Sequence, residues 1–187
     1  MRRLLATLAL LLAAAPAAAS TVPRVDFQGH QTSVSFGLLD FDVDQALGDR
    51  LAVGVSTNVL SIAPRLTYRL GGDPATTCWG VTLAAGPSIY PVLAYGSLSP
   101  TAAPILNGPS GYVQPALVWS TVLGGNFTFR GTLGPVLFAQ LNSQAGGSYR
   151  YIDSLVVPLW PNFELAYKWG LGEFTLGGGV LGFRLAI

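Results

Sequence analysis

Trp79-Gly80-Val81-Thr82-Leu83-Ala84-Ala85-Gly86-Pro87-Ser88-Ile89-Tyr90 alternates along its whole length. The odd positions carry Trp, Val, Leu, Ala, Pro and Ile, and the even ones carry Gly, Thr, Ala, Gly, Ser and Tyr. Successive side chains of a β-strand point to opposite faces, so a period of two sets an apolar face against a small or polar one. The same alternation returns in Phe127, Phe129, Leu133, Pro135, Leu137 and Ala139 against Thr128, Arg130, Thr132, Gly134 and Gln140. It returns again in Leu159, Pro161, Phe163, Leu165, Tyr167 and Trp169 against Trp160, Asn162, Glu164, Ala166 and Lys168.

Weaker copies fill Ser33–Val43, Leu51–Val59, Ile62–Leu70, Tyr112–Val122 and Phe174–Ile187, which makes eight predicted strands in all. In Ile62–Leu70 two arginines, Arg65 and Arg69, share the polar face. The first weak strand changes phase near Leu38-Leu39 and the last near Gly177-Gly178-Gly179, and bulges at those points would let the chain shift face. Turn signals stand at Leu47-Gly48-Asp49, Gly71-Gly72-Asp73-Pro74, Gly124-Gly125-Asn126 and Gly170-Leu171-Gly172. Longer loops are expected at Gly96–Ser110 and Asn142–Asp153. The expected fold is all-β, an antiparallel up-and-down β-barrel of eight strands.

Helices are a poor alternative. Charged residues make up 10% of the chain, against about a quarter in soluble domains, and none occurs between Asp73 and Arg130. That apolar stretch is interrupted by Pro87, Pro91, Pro100, Pro104, Pro109 and Pro115, so no run near the ~20 residues of a transmembrane helix survives. The 10 basic and 9 acidic side chains nearly balance, which gives no reason to expect nucleic acid as a partner.

The chain opens with Met1-Arg2-Arg3, an uncharged run from Leu4 to Ala15, and Pro16-Ala17-Ala18-Ala19-Ser20. That basic, apolar and small-residue order is expected of a secretory signal over residues 1–19, leaving residues 20–187 as one barrel domain. Cys78 is the only cysteine, so no internal disulfide can form.

In a soluble sheet protein the apolar faces point inward, and in a membrane barrel they point out at lipid. Arg65, Arg69, Arg130, Glu164 and Lys168 all fall on polar faces, where oppositely charged groups can fill a narrow barrel interior as a network. Tyr68, Trp79, Tyr90, Tyr95, Tyr112, Tyr167 and Trp169 fall near strand ends, where interfacial girdles sit. In these features the chain resembles the small eight-stranded outer-membrane β-barrel proteins of diderm bacteria. The resemblance implies a membrane-embedded barrel, outer-membrane lipid around it and the barrel-assembly machinery as the partner that inserts it. Members of that group commonly end in an aromatic residue, and Gly182-Phe183-Arg184-Leu185-Ala186-Ile187 departs from them there. Pro64, Pro87, Pro115, Pro135 and Pro161 fall inside predicted strands, where each removes a ladder hydrogen bond.

No constellation of catalytic, cofactor or metal residues stands out. His30, the single histidine, has Ser33 and Ser35 near it, which would suit a lipid-modifying acyl-transfer site, yet no orienting group can be placed beside it. Asp40, Asp42 and Asp44 lack the glycine and terminal Glu of a calcium loop and read better as the polar face of a strand end. Asn126-Phe127-Thr128 matches a glycosylation sequon too short to carry weight, and Gly177-Gly178-Gly179 matches no phosphate loop. The expected function is that of a non-enzymatic outer-membrane barrel with a structural, adhesive or limited transport role and no cofactor. The alternatives are a secreted or periplasmic soluble barrel that binds an apolar ligand, and a lipid-modifying enzyme centred on His30.

Overall fold

The computed structural model describes residues 22–37, 40–58, 61–87, 110–143, 149–177 and 180–187. The region expected to be a signal segment therefore lies outside the described residues, as do Tyr90, Tyr95 and the expected loop at Gly96–Ser110 up to its last residue.

Ten strands close into one antiparallel barrel. They are β1 (Thr32–Gly37), β2 (Asp40–Ala46), β3 (Leu51–Asn58), β4 (Ser61–Gly72), β5 (Thr77–Pro87), β6 (Ser110–Gly124), β7 (Phe127–Ser143), β8 (Tyr149–Trp169), β9 (Gly172–Gly177) and β10 (Val180–Ala186). Each pairs with its neighbours in sequence, and β1 pairs with β10 to close the ring, from Ser33↔Ala186 to Gly37↔Gly182.

The expected count of eight is corrected at the two phase changes. Ser33–Val43 is a hairpin, with Phe36 opposite Phe41, and the chain reverses between Gly37 and Asp40. Phe174–Ile187 is a second hairpin, with Leu181 opposite Leu176. A tight reversal and a bulge both break alternation at a single point, so period alone does not distinguish them. The register shifts fall elsewhere, at Arg69/Gly71, Val122/Gly124, Gly134/Val136 and Asn142/Ser143.

The four sequence turn signals join β2–β3, β4–β5, β6–β7 and β8–β9 at one end of the barrel, where β1 also begins and β10 ends. Gly72, Gly124, Gly125 and Gly170 adopt the positive φ that such reversals require. The added first hairpin moves the longer β5–β6 and β7–β8 connections to the opposite end. Most of Asn142–Asp153 is not loop, since β7 runs to Ser143 and β8 starts at Tyr149.

The strand prolines sit where the ladder can spare a donor. Val113 pairs with Leu137 and Leu117 with Leu133, so Pro115 and Pro135 face each other across a gap in β6–β7. Pro135 also occupies the bulge between β7 and β8. Here Gly134 matters, because a Cβ at that position would lie 2.1 Å from the Pro115 carbonyl oxygen. The ladder from β4 to β5 starts at Arg65, one residue past Pro64. Among the described residues β8 pairs with β9 only from Glu164 onward, which leaves the nitrogen of Pro161 beyond the end of β9.

The distribution of polarity is the reverse of a water-soluble core. Ile62, Leu66, Leu83, Leu117, Phe163 and Leu176 are exposed on the outer face. Arg65, Thr67, Thr82, Arg130, Glu164 and Arg184 are buried on the inner one. Tyr68, Trp79, Phe127, Tyr167, Trp169 and Phe174 form an outer arc over β4–β9 at the short-turn end, with Phe127 against Tyr167 at 5.0 Å and Trp169 stacked on Phe174 at 5.8 Å. Tyr112 departs from the expected girdle. It faces inward, with its ring 6.1 Å from that of Phe138, and Val136 and Trp160 are buried on the same tall β6–β8 wall.

Candidate functional site

Alternation places every second side chain of each strand in the lumen. Two charged groups result, on opposite walls. On the β7–β10 wall Arg130 Nη1 donates to Glu164 Oε1 at 3.0 Å and to Glu173 Oε2 at 2.9 Å, while Arg130 Nη2 donates to Glu173 Oε1 at 3.0 Å. Arg184 grips the same Glu164 from the other side, at 2.9 Å to Oε1 and 3.2 Å to Oε2, and donates through Nε to Ser35 Oγ at 2.8 Å. Arg130 is 0% exposed, and Glu164 and Arg184 are 2%. Glu164 thus bridges two arginines, an arrangement that leaves neither guanidinium uncompensated inside the barrel. On the β2–β4 wall Arg65 Nη2 donates to Asp44 Oδ2 at 2.6 Å, and Arg65 Nη1 lies 3.8 Å from Asp42 Oδ1.

Between these walls runs a segment that sequence patterning did not reveal. Residues 22–31 descend through the lumen to the short-turn end, where the chain turns back into β1. Val22, Pro23, Val25 and Phe27 are buried, Val25 against Cys78 and Val118, and Phe27 against Ala46 and Ala52. Asp26 Oδ2 accepts from Arg130 Nε at 3.1 Å, Arg130 Nη2 at 2.7 Å and Ser120 Oγ at 3.2 Å, and Asp26 Oδ1 accepts from Arg24 Nε at 3.1 Å. Burial alone would push the Asp26 carboxyl up, but Arg130 and Arg24 outweigh it and hold it well below the usual carboxylate range. Arg69 Nη1 donates to the Phe27 carbonyl at 3.0 Å, and its guanidinium sits 5.6 Å from the Phe27 ring centroid. Arg184 Nη2 donates to the Val22 carbonyl at 3.2 Å, and the Gly29 amide donates to Asp49 Oδ1 at 2.9 Å where the segment leaves the lumen.

Of the five residues expected in the interior network, Arg130 and Glu164 are paired directly, Arg65 belongs to the opposite group, and Arg69 is committed to the N-terminal segment. Lys168 is exposed at the rim, where it borders a cavity of about 290 Å³ with Arg24, Asp26, Gln28, Gln31 and Glu173. Arg24, Asp26, Glu173 and Arg184 were not singled out by the sequence. Glu173 and Arg184 stand opposite each other in the β9–β10 hairpin, and Glu173 falls just before the predicted strand Phe174–Ile187. Asp42 and Asp44 serve Arg65. His30 is exposed near the rim, whereas Ser33 and Ser35 are buried on the inner face. Among the described residues no group of His, Cys, Asp and Glu is arranged to hold a metal ion. Comparison with protein-family models, with curated proteins and with solved structures finds no match.

Proposed function

We propose that this chain is a membrane-embedded, non-enzymatic outer-membrane barrel with a structural, adhesive or limited transport role. The observation that carries this reading is the inverted surface. Leu117, Phe163, Leu176 and their neighbours are exposed on every strand face that looks outward, while Arg130, Arg184 and Glu164 are buried inside. A continuous apolar belt of that kind is costly in water and matched to hydrocarbon. β4 with 12 residues and β5 with 11 have the length that tilted strands need to cross a bilayer, about 9–11 residues. The arc of exposed Trp and Tyr on β4, β5 and β8 at the short-turn end suits a lipid–water interface. The occupied lumen favours structural or adhesive roles over free diffusion, with the β5–β6 and β7–β8 connections at the far end as the place for contacts. Residues 22–27 and the charged groups that hold them already fill that part of the lumen, which favours the membrane reading over a soluble carrier of an apolar ligand.

The test is fractionation of native cells followed by electrophoresis of the detergent extract with and without boiling. Recovery in the outer-membrane fraction with faster migration unboiled supports the reading. A soluble chain with no heat-dependent shift overturns it.

A further inference from the structure

We propose that the cavity at the short-turn rim, lined by Arg24 and Lys168, binds a small hydrophilic oxyanion of the size of a sugar acid or sugar phosphate. The site goes beyond the membrane reading and does not depend on it.

The lining carries two positive and two negative side chains, Arg24 and Lys168 against Asp26 and Glu173. Selection therefore follows from which of them still have hydrogen bonds to make. Both carboxylates are already spent. Asp26 accepts two bonds from Arg130 and one each from Ser120 and Arg24. Glu173 accepts two from Arg130 and a third, at 3.4 Å, from Arg184. Asp49 and Asp73, at neighbouring turns, accept the backbone amides of Gly29 and Ala75.

The two cations keep donors in hand. Arg24 bonds Asp26 through Nε alone, so among the described residues both of its terminal nitrogens lack a partner, although its side chain is only 11% exposed. Lys168 stands opposite Glu173 across β8–β9, yet among the described residues no ion pair joins them, and Glu173 is turned instead to Arg130 and Arg184. A largely buried guanidinium with two open nitrogens is a planar fork that matches a carboxylate or a phosphate, and the Lys168 ammonium on the same lining adds a point charge. Gln28, Gln31, Asn126 and Thr128 contribute amides and a hydroxyl, which suit the hydroxyl groups of a ligand. The volume, about 290 Å³, sits at the bottom of the roughly 300–1,000 Å³ range of small-molecule sites, which limits the ligand to a compact one. Arg24, Asp26, Gln28 and Gln31 all belong to the lumen segment, so the seated segment itself builds half of the charged and amide lining.

Lys168 is the only lysine in the chain. Reductive methylation of the purified full-length barrel in neutral detergent with isotope-labelled formaldehyde keeps its charge and turns its methyl groups into an NMR reporter, assigned by its loss in Lys168→Gln. The reporter is followed during titration with gluconate, glucose 6-phosphate, uncharged glucose, and sodium chloride at matched ionic strength. A saturable shift with gluconate or glucose 6-phosphate, and none with glucose or sodium chloride, is the expected result. Whichever anion binds tighter identifies the charged group of the ligand as carboxylate or phosphate. Arg24→Gln is expected to weaken that binding by about tenfold or more while the heat-dependent gel shift remains. Shifts that never saturate, or that glucose or sodium chloride reproduces, overturn the proposal, as does binding by Arg24→Gln within about twofold of the parent. If Arg24→Gln does not fold, calorimetric titration of Lys168→Gln, altered at an exposed side chain, takes its place, and an affinity within about twofold of the parent overturns the proposal. A chain found soluble in cells overturns the membrane reading alone, since the same titrations then run without detergent.

Discussion

Asp26→Ala should loosen the lumen segment by a calculable amount. Asp26 accepts two hydrogen bonds from Arg130 and one from Ser120, all across the boundary between segment and wall. Its bond from Arg24 lies within the segment and moves with it, so that bond contributes nothing to seating. Removing one partner of a buried ion pair costs about 3–5 kcal/mol. Arg130 keeps Glu164 and Glu173, which places the loss at the low end, about 3 kcal/mol, or roughly a hundredfold in the seated-to-released ratio. Cys78 reports that ratio, because it is 0% exposed and covered by Val25. Where opening and closing are fast relative to modification, the labelling rate follows the open population. The maleimide labelling rate of Cys78 in detergent-solubilised barrel should therefore rise about a hundredfold in Asp26→Ala, while Arg24→Ala should change it little. A rate within about twofold of the parent would refute the assignment of Asp26 as the main anchor, since it implies under about 0.5 kcal/mol.

Glu164→Gln should destabilise the folded barrel by about 3–4 kcal/mol in denaturant titrations, because two buried arginines lose their shared counter-charge, and Glu173→Gln, nearer the rim, should cost less. Gly134→Ala should destabilise by more than about 1 kcal/mol, since its new methyl group meets the backbone of Pro115 and Ala116, and the heat-dependent gel shift should begin at a lower temperature. Among single-tryptophan variants, brominated lipid should quench Trp79 and Trp169, which are 50% and 68% exposed, and leave Trp160, which faces the lumen, unquenched. The Asp26 carboxyl is lowered in the folded state, so its contribution to seating is complete above its unfolded value of about 3.9 and is lost only as pH falls through the lowered one. The ratio of Cys78 labelling rates between Asp26→Ala and the parent should accordingly stay constant from about pH 5 to about pH 8.

Much of the barrel was legible because alternation has a direct physical cause. The runs at Trp79, Phe127 and Leu159 correspond to β5, β7 and β8, and Arg65, Arg69, Arg130 and Glu164 fall on the inner face because polar positions share one parity. The two-residue reversals after Gly37 and Gly177 were not legible, since a face change looks the same whether the chain kinks or turns back. The lumen segment was harder still. Arg24-Val25-Asp26-Phe27 shows alternating polarity like a strand end, yet it makes no ladder, and its carboxylate, Asp26, is matched by Arg130 far along the chain. Long-range pairing of that kind leaves no local period. Arg184 was overlooked for the same reason, because its partners Ser35, Glu164 and Val22 lie on three separate stretches.

The seam between β1 and β10 has a kinetic consequence. Arg184 on β10 meets Ser35 across 149 residues and Val22 across 162, so β10 delivers both the ring closure and a hold on the first described residues. Chain entropy must be surrendered over nearly the whole polypeptide before either contact returns any free energy, which makes slow, late-committing folding the expectation for this topology. A nascent chain halted before Val180 would have neither seam nor latch, however well its earlier hairpins had paired.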